Sequence, residues 1–411
     1  MMFKKIALSV VFAFCALNGF SKAKEAYVPQ IQENVKLNKY NRQLGYQLIN
    51  EGETVVFIFD APTWKIQRPL RVFISGSFNG WTKKSGAWEM AKIKDTFFML
   101  EVAKNDLLIP GDSGYPEYKF IVHAEIPYKE TVCGKELVRY KNEVIELEAI
   151  SNVPGYRLLG NNLILFPEDN PEKVEEAERI ISKAKKLKEY NLSDEADVAA
   201  LTNFRLVPKT TNLYRGYHPY KISKTKLDTE KSRIDYVRML LRQKGIKTII
   251  TLSGDETLED GKEQLPVFIT DIRRNKSQLF LEPKYNTVYY ESERKEFGTM
   301  VAEIVRYINE HDGPYYVHDR LGIDQTGVVC AILSSFCGAN WNEIAEDYQK
   351  SNEMQIKEYR DANLLKYSLE KIAGIQIDDG SDMKKLLSKY FIDRKLLSGQ
   401  EIEILAKKLN Q

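Results

Sequence analysis

Cysteine and histidine are scarce in this chain: 411 residues hold four of each. No cluster of the two has metal-ligand spacing, which argues against a structural zinc, and no metal or other cofactor is expected. Cys330 and Cys337 lie seven residues apart on an expected helix, roughly 10 Å along its axis by rise, too far to bridge. Charge of one sign is also lacking, with 60 basic against 58 acidic residues. Nothing in that balance suggests a polyanion, so no nucleic-acid partner is expected. No internal repeat or low-complexity tract is present, and no apolar run is long enough for a confident membrane span.

The longest apolar run stands at the start, in "MMFKKIALSVVFAFCALNGFSKAKEA". Lys4 and Lys5 supply a charged beginning, Ile6 to Phe20 an apolar middle, and Ser21-Lys22-Ala23 a cleavage site. This is the build of a secretory signal peptide over residues 1–23; left uncleaved, it would be an anchor. Cleavage removes three lysines and turns a formal charge of +2 into −1. Lipidation at Cys15 is a minor option, because Phe14 is large where small residues are usual. An export signal without a disulfide pattern points to a bacterial periplasmic, envelope-associated or secreted protein.

Three regions follow. From about residue 50 to 150, "ETVVFIFDAP", "RPLRVFISGSF", "TFFMLEVAK", "YPEYKFIVHAE" and "NEVIELEA" are short, β-branched and aromatic, and separated by turn residues. They predict a small all-β immunoglobulin-like sandwich. Residues 151–200 form a connector. There, "DNPEKVEEAERIISKAKKLKEYN" carries Val174, Ala177, Ile181, Ala184 and Leu187 at helical spacing. This predicts an amphipathic helix packed on one domain or between the two; a charged, solvated linker helix is the alternative. From 201 to 411 helices and strands alternate, as in "SRIDYVRMLLRQKG" then "IKTIITL", and helices close the chain. That alternation predicts an α/β domain with a helical tail.

The most informative stretch is "PYYVHDRLGIDQTGVVCAIL", residues 314–333. A strand, a short loop with one glycine and a helix would aim backbone N–H groups at an anion. The loop nevertheless carries two acids, Asp319 and Asp324. "VHDRLGIDQTG" resembles the signature loop of the cysteine-dependent tyrosine and dual-specificity phosphatases, His-Cys-x-x-Gly-x-x-Arg-Thr/Ser-Gly, with His318, Gly322, Thr326 and Gly327 in register. "NLYRGYHP" and "LLRQKGIKTIITL" resemble the bacterial branch of that family, and the resemblance covers roughly residues 203–411.

Two positions depart from it. The family's nucleophilic Cys corresponds to Asp319 and its phosphate-clamping Arg to Gln325. The family's mechanism needs a thiolate to attack phosphorus and a guanidinium to bind the equatorial oxygens. A carboxylate at 319 would take the N–H donors itself. It would also repel phosphate by roughly 4 kcal/mol per charge pair at about 4 Å and an effective dielectric near 20. Gln325 supplies no cation, and Arg320 stands elsewhere in the loop. The family's general-acid loop falls on "VYYESERKEF", which offers only Glu291 and Glu293. The expectation is a pseudophosphatase with no catalytic residues. A divergent phosphatase acting on phosphorylated glycan or protein through Asp319, with a metal and Asp324, is the alternative. A third option is a purely structural part of an assembly.

In the first region, "RVFISGSFNGWTKKSGAWEM" with "YKF" is similar to the family 48 carbohydrate-binding modules, the glycogen-binding type of the AMP-activated protein kinase beta subunit. That resemblance implies α-glucan or another glycan as ligand, met by the Trp81 indole as a stacking face and the Lys119 ammonium as a hydroxyl partner. The family's second stacking Trp falls near Ile126, with Tyr128 close by, and its Asn pair reads Asn142-Glu143. Trp88 is expected in the core. Function taken together, the reading is an exported binding or scaffold protein whose partner is a glycan or an envelope protein.

Overall fold

The computed structural model describes residues 39–108, 116–133, 135–147, 158–159, 162–254, 266–283 and 288–411. The expected export segment 1–23, with Cys15, lies outside them. After α1 (Lys39–Leu44) come nine strands: β1 (Tyr46–Ile49), β2 (Thr54–Asp60), β3 (Pro69–Gly76), β4 (Ala91–Lys94), β5 (Phe97–Ala103), β6 (Glu117–Val132), β7 (Lys135–Glu146), β8 (Leu158–Leu159) and β9 (Asn162–Ile164). They make two antiparallel sheets, ordered β1-β2-β5-β4 and β3-β6-β9-β8, with β7 paired to β6 outside that path.

One core joins the sheets. Val55, Phe57 and Phe59 of β2 meet Val72 and Ile74 of β3 and Tyr118, Phe120 and Val122 of β6. The alternate residues of β2, Val56 and Ile58, are buried against Ile49, Phe97 and Met99 on the other face. Burial on both faces is why "TVVFIFD" reads as a continuous apolar run rather than an alternation. Trp88 packs against the shared core beside Phe78, ring centroids 4.9 Å apart.

The connector helix, α2 (Pro171–Ile181), is shorter than the sequence periodicity suggests. Val174, Ala177 and Ile181 pack with Ile164 of β9 and with Tyr359 of the C-terminal region. Lys173 pairs with Asp361 at 3.2 Å. Beyond Ile181 tertiary bonds redirect the backbone. The Lys185 N–H donates to the Gln355 carbonyl at 3.0 Å and the Tyr190 hydroxyl to the Met354 carbonyl at 3.0 Å. Ala184 and Leu187 therefore do not continue the helical face, and the connector is packed between the two regions rather than solvated all round.

The C-terminal region runs α3 (Glu195–Thr202), β10 (Arg205–Leu206), β11 (Leu213–Arg215), α4 (Glu230–Gln243), β12 (Thr248–Thr251), α5 (Val267–Arg274), β13 (Gln278–Phe280), α6 (Val288–Glu291), α7 (Lys295–Glu310), β14 (Tyr315–His318), α8 (Asp324–Phe336) and α9 (Trp341–Gln349). Its tail is α10 (Ala362–Ala373), α11 (Met383–Asp393) and α12 (Gly399–Leu409). The sheet order is β10-β11-β14-β12-β13, parallel except for the β10 edge. Ile250 and Val317 face the core shared with α7 and α8, while Ile249 and Tyr316 face the one shared with α4 and α5. Helices thus cover both faces, and β14 sits in the middle with its carboxyl end open to a loop, the place where such sheets build sites. Among the described residues no helix is long and apolar enough to cross a membrane.

Candidate functional site

β14 ends at His318, and residues 319–323 turn the chain into α8. The turn requires glycine at 322: its φ is +72°, and a Cβ there would stand 2.2 Å from the Gly216 carbonyl oxygen. At Gly327 a Cβ would meet the Tyr348 ring at 2.7 Å, so close packing of α8 also depends on a missing side chain. His318 is fully buried, with Nε2 3.0 Å from the Thr251 hydroxyl and Nδ1 3.2 Å from the Asp319 carbonyl. It orders the strand end and the loop.

Asp319 is buried, and its carboxylate fills the cradle. Oδ1 accepts from the Leu321 and Gly322 N–H groups at 3.0 and 2.5 Å, and Oδ2 accepts from the Thr326 N–H at 3.0 Å. Thr326 lies in the first turn of α8, so the carboxylate also meets the positive end of that helix. These are the donors that an incoming oxyanion would need. Gln325 is half-buried; among the described residues its Oε1 has no hydrogen-bond partner, and neither does the Thr326 hydroxyl. Arg320 is exposed and makes no ion pair among the described residues. The loop therefore has no cation of its own on the carboxylate.

The other groups that catalysis would call on are occupied. Asp324 accepts from the Tyr289 hydroxyl at 2.7 Å and from Arg360 Nε at 2.8 Å. Burial opposes charge on Asp324, but Arg360, the Tyr289 hydroxyl and the nearby Arg320 charge together hold the carboxyl below its usual range. Glu291 pairs with Arg294 at 2.6 Å and Glu293 with Lys371 at 2.9 Å. The two cysteines of α8 and its C-cap are no substitute nucleophiles: burial pushes Cys330 up to about 12 and Cys337 up to about 11. Among the described residues no group of three His, Cys, Asp or Glu is placed to hold a metal.

Beneath the loop lies a network that sequence reasoning missed. Arg215, buried at the end of β11, donates to the Gly322 carbonyl at 2.9 Å and to Asp347 Oδ2 at 2.7 Å. Arg205 donates to Asp347 Oδ1 at 2.6 Å and to the Ser351 hydroxyl at 3.1 Å. Burial disfavours the Asp347 charge, yet the two guanidinium groups hold its carboxyl below the usual range. Arg215 stands within the "NLYRGYHP" motif, but nothing local marks Asp347 as its partner.

In the two-sheet region Trp81 and Lys119 come together. Trp81 follows the turn Ser77–Asn79 and Gly80, with its N–H donating to the Gly76 carbonyl at 2.9 Å. The Lys119 ammonium lies 5.5 Å from the indole centroid and pairs with Glu146 at 2.7 Å, and Lys83 pairs with the same carboxylate. Lys119 and Lys83 hold Glu146 below the usual carboxylate range. Tyr128 and Asn142 are not part of this cluster. Tyr128 is nine residues further along β6, roughly 30 Å away and on the opposite face by strand period. Asn142 pairs with Glu125, roughly 20 Å along the strand from Lys119. The Trp81 turn also touches the C-terminal region: a Cβ on Gly80 would lie 3.5 Å from the Cβ of Tyr290.

Residues 209–393 match the profile of the tyrosine phosphatase family. No match to a curated protein was found. Among solved structures, the core catalytic domain of a PP-IP phosphatase from S. cerevisiae, in complex with citrate, is 15% identical, with 47% of this chain and 94% of that chain covered and a TM-score of 0.27. The profile match does not extend to the two-sheet region, and Asp319 and Gln325 fall inside it. Over residues 209–393, then, the C-terminal region of this chain is similar to the tyrosine phosphatase family.

Proposed function

We propose that the protein is a pseudophosphatase, an exported, non-catalytic binding or scaffold protein of the cell envelope. One observation carries the reading: the Asp319 carboxylate satisfies the Leu321, Gly322 and Thr326 N–H groups that would otherwise receive a phosphoryl oxygen. A nucleophile needs a free lone pair aimed at the substrate. Both Asp319 oxygens accept bonds from the loop, and the second acid, Asp324, is held by Arg360 and Tyr289. This weighs against the alternative of a carboxylate-based phosphatase.

The test is phosphate release from an aryl phosphate, with and without magnesium, by wild type and by the Asp319→Cys/Gln325→Arg double variant. Wild type is expected to be silent. Turnover confined to the double variant would add that the cradle can still act once its chemistry is restored. Turnover by wild type that disappears in Asp319→Ala overturns the reading in favour of the alternative.

We assign the two-sheet region an immunoglobulin-like carbohydrate-binding role with α-glucan as ligand, supported by the partly exposed Trp81 ring beside Lys119. A flat indole suits the C–H face of a sugar because it buries area at little entropic cost. Soluble α-glucan should retard wild type on an affinity gel and leave Trp81→Ala unshifted. Equal mobility of wild type with and without glucan removes the assignment.

A further inference from the structure

The two longest strands among the described residues, β6 and β7, have 16 and 12 residues. Up to Ala124 the β6 strand pairs with β3, and Glu125 still donates its N–H to the Arg68 carbonyl at 3.0 Å; from Ile126 to Val132 its only strand partner among the described residues is β7. β7 in turn pairs with β6 alone, so one whole edge of it is unpaired among the described strands. The hairpin thus leaves the sheet as a two-stranded arm, and such an arm by itself is marginal in water. It is also unusually apolar for an exposed element: Leu137, Val138, Tyr140 and Val144 are 44%, 61%, 42% and 53% exposed. Neither the loop chemistry nor the Trp81 platform uses any of these side chains.

A long free edge is a template for another strand, and proteins often blunt it with charged side chains, lysine above all. Here the charges are balanced. β7 reads "KELVRYKNEVIE", with Lys135, Arg139 and Lys141 against Glu136, Glu143 and Glu146. Laid antiparallel on a second copy of itself about Asn142, the strand is self-complementary. Lys141 falls opposite Glu143 of the other copy, and Glu143 opposite its Lys141. On the other face Tyr140 falls opposite Val144, twice, an aromatic–β-branched pair of the kind that stabilises antiparallel sheets. Centred on Asn142, residues 138–146 of the two copies overlap over about 30 Å, enough for roughly eight to ten backbone hydrogen bonds across the dyad.

We infer that the β7 edge is a homodimer interface, with two copies of this chain joined through antiparallel β7–β7 pairing centred on Asn142. The pairing is isologous, so this interface closes at two copies. It makes one continuous sheet of both two-sheet regions and covers the exposed edge.

The experiment uses the purified protein in a Cys133→Ser background, because Cys133 is an exposed free thiol at the arm's tip. Sedimentation velocity over a concentration series should show a species of twice the monomer mass. Asn142→Cys should cross-link to that dimer on oxidation, since opposed residues on the dyad lie within disulfide range. Glu136→Cys, well off the dyad, should not. Tyr140→Glu/Val144→Glu places like charges opposite each other and should give monomer, whereas Tyr140→Lys/Val144→Glu pairs opposite charges and should keep the dimer. All four positions are exposed, although the Arg68 guanidinium stands 3.8 Å over the Tyr140 ring and Lys129 pairs with Glu136 at 2.8 Å, so circular dichroism checks that each variant folds as wild type does. A wild type that stays monomeric at every concentration overturns the proposal. So does a Glu136→Cys variant that cross-links as readily as Asn142→Cys, or a like-charge variant that dimerises as well as the paired one.

Discussion

Replacing Asp319 with Ala should convert a self-filled cradle into an empty one. The change removes an acceptor from three N–H groups, those of Leu321, Gly322 and Thr326. Hydrogen bonds to a charged group contribute about 1.5–3 kcal/mol each, and a buried donor left unmade costs about 1–3 kcal/mol. Some rehydration of the opened loop is expected, so the low end applies, about 1 kcal/mol per donor and about 3 kcal/mol in all. At about 2–4 °C per kcal/mol for a domain near 200 residues, the melting temperature should fall by about 6–12 °C. Tungstate should then restore most of the loss, since a ligand at a hundred times its Kd stabilises by about 2.7 kcal/mol. The assay is thermal unfolding of wild type and variant with tungstate, against a chloride control of equal ionic strength. Wild type should not respond to tungstate. An equal upward shift in wild type, or a variant that melts like wild type without ligand, would refute the reasoning that Asp319 occupies the anion site.

Two further outcomes follow from the same loop. Arg215→Met strips one guanidinium from buried Asp347 and the donor from the Gly322 carbonyl, so it should destabilise the domain by about 3–5 kcal/mol in urea unfolding; a loss under 1 kcal/mol would mean that the network does not hold the loop. Asp347 and Asp324 both have folded-state pKa values below the unfolded value of about 3.9. Their contribution is therefore fully present above that pH and is lost as pH falls through the depressed values. Urea midpoints should stay level from these groups between about pH 7 and 5 and decline below about 4. A decline already between pH 7 and 5 in wild type that Asp347→Asn abolishes would contradict the sign of the shift.

Much of the site was legible because it is local. "YYVHDRLGIDQTG" is contiguous, and a strand, a left-handed glycine and a helix start are encoded within those few residues. That made the cradle and its intended N–H donors readable, together with the two substitutions at 319 and 325. The alternating pattern after residue 203 likewise gave the α/β layering, and the β-rich composition of residues 50–150 gave a two-sheet region. Other features were not local. The connector helix stops at Ile181 because Gln355 and Met354 take the Lys185 N–H and the Tyr190 hydroxyl. Periodicity could not register that, since the partners lie far along the chain.

The same distinction separates what sequence and tertiary structure each decide here. From sequence alone came the type of residue in the loop: a carboxylate where the phosphatase signature it resembles has a thiolate, and an amide where that signature has a guanidinium. Tertiary structure decided where the carboxylate points, because Gly322, at φ +72°, packs against the Gly216 backbone where no Cβ would fit, and Arg215 and Asp347, 132 residues apart, hold that turn from below. It also decided that Trp81 and Lys119 share a surface while Tyr128 and Asn142 stand away along the arm. Strand period and strand length fix those positions, and both become defined only when the register of β6 against β3 and β7 is set.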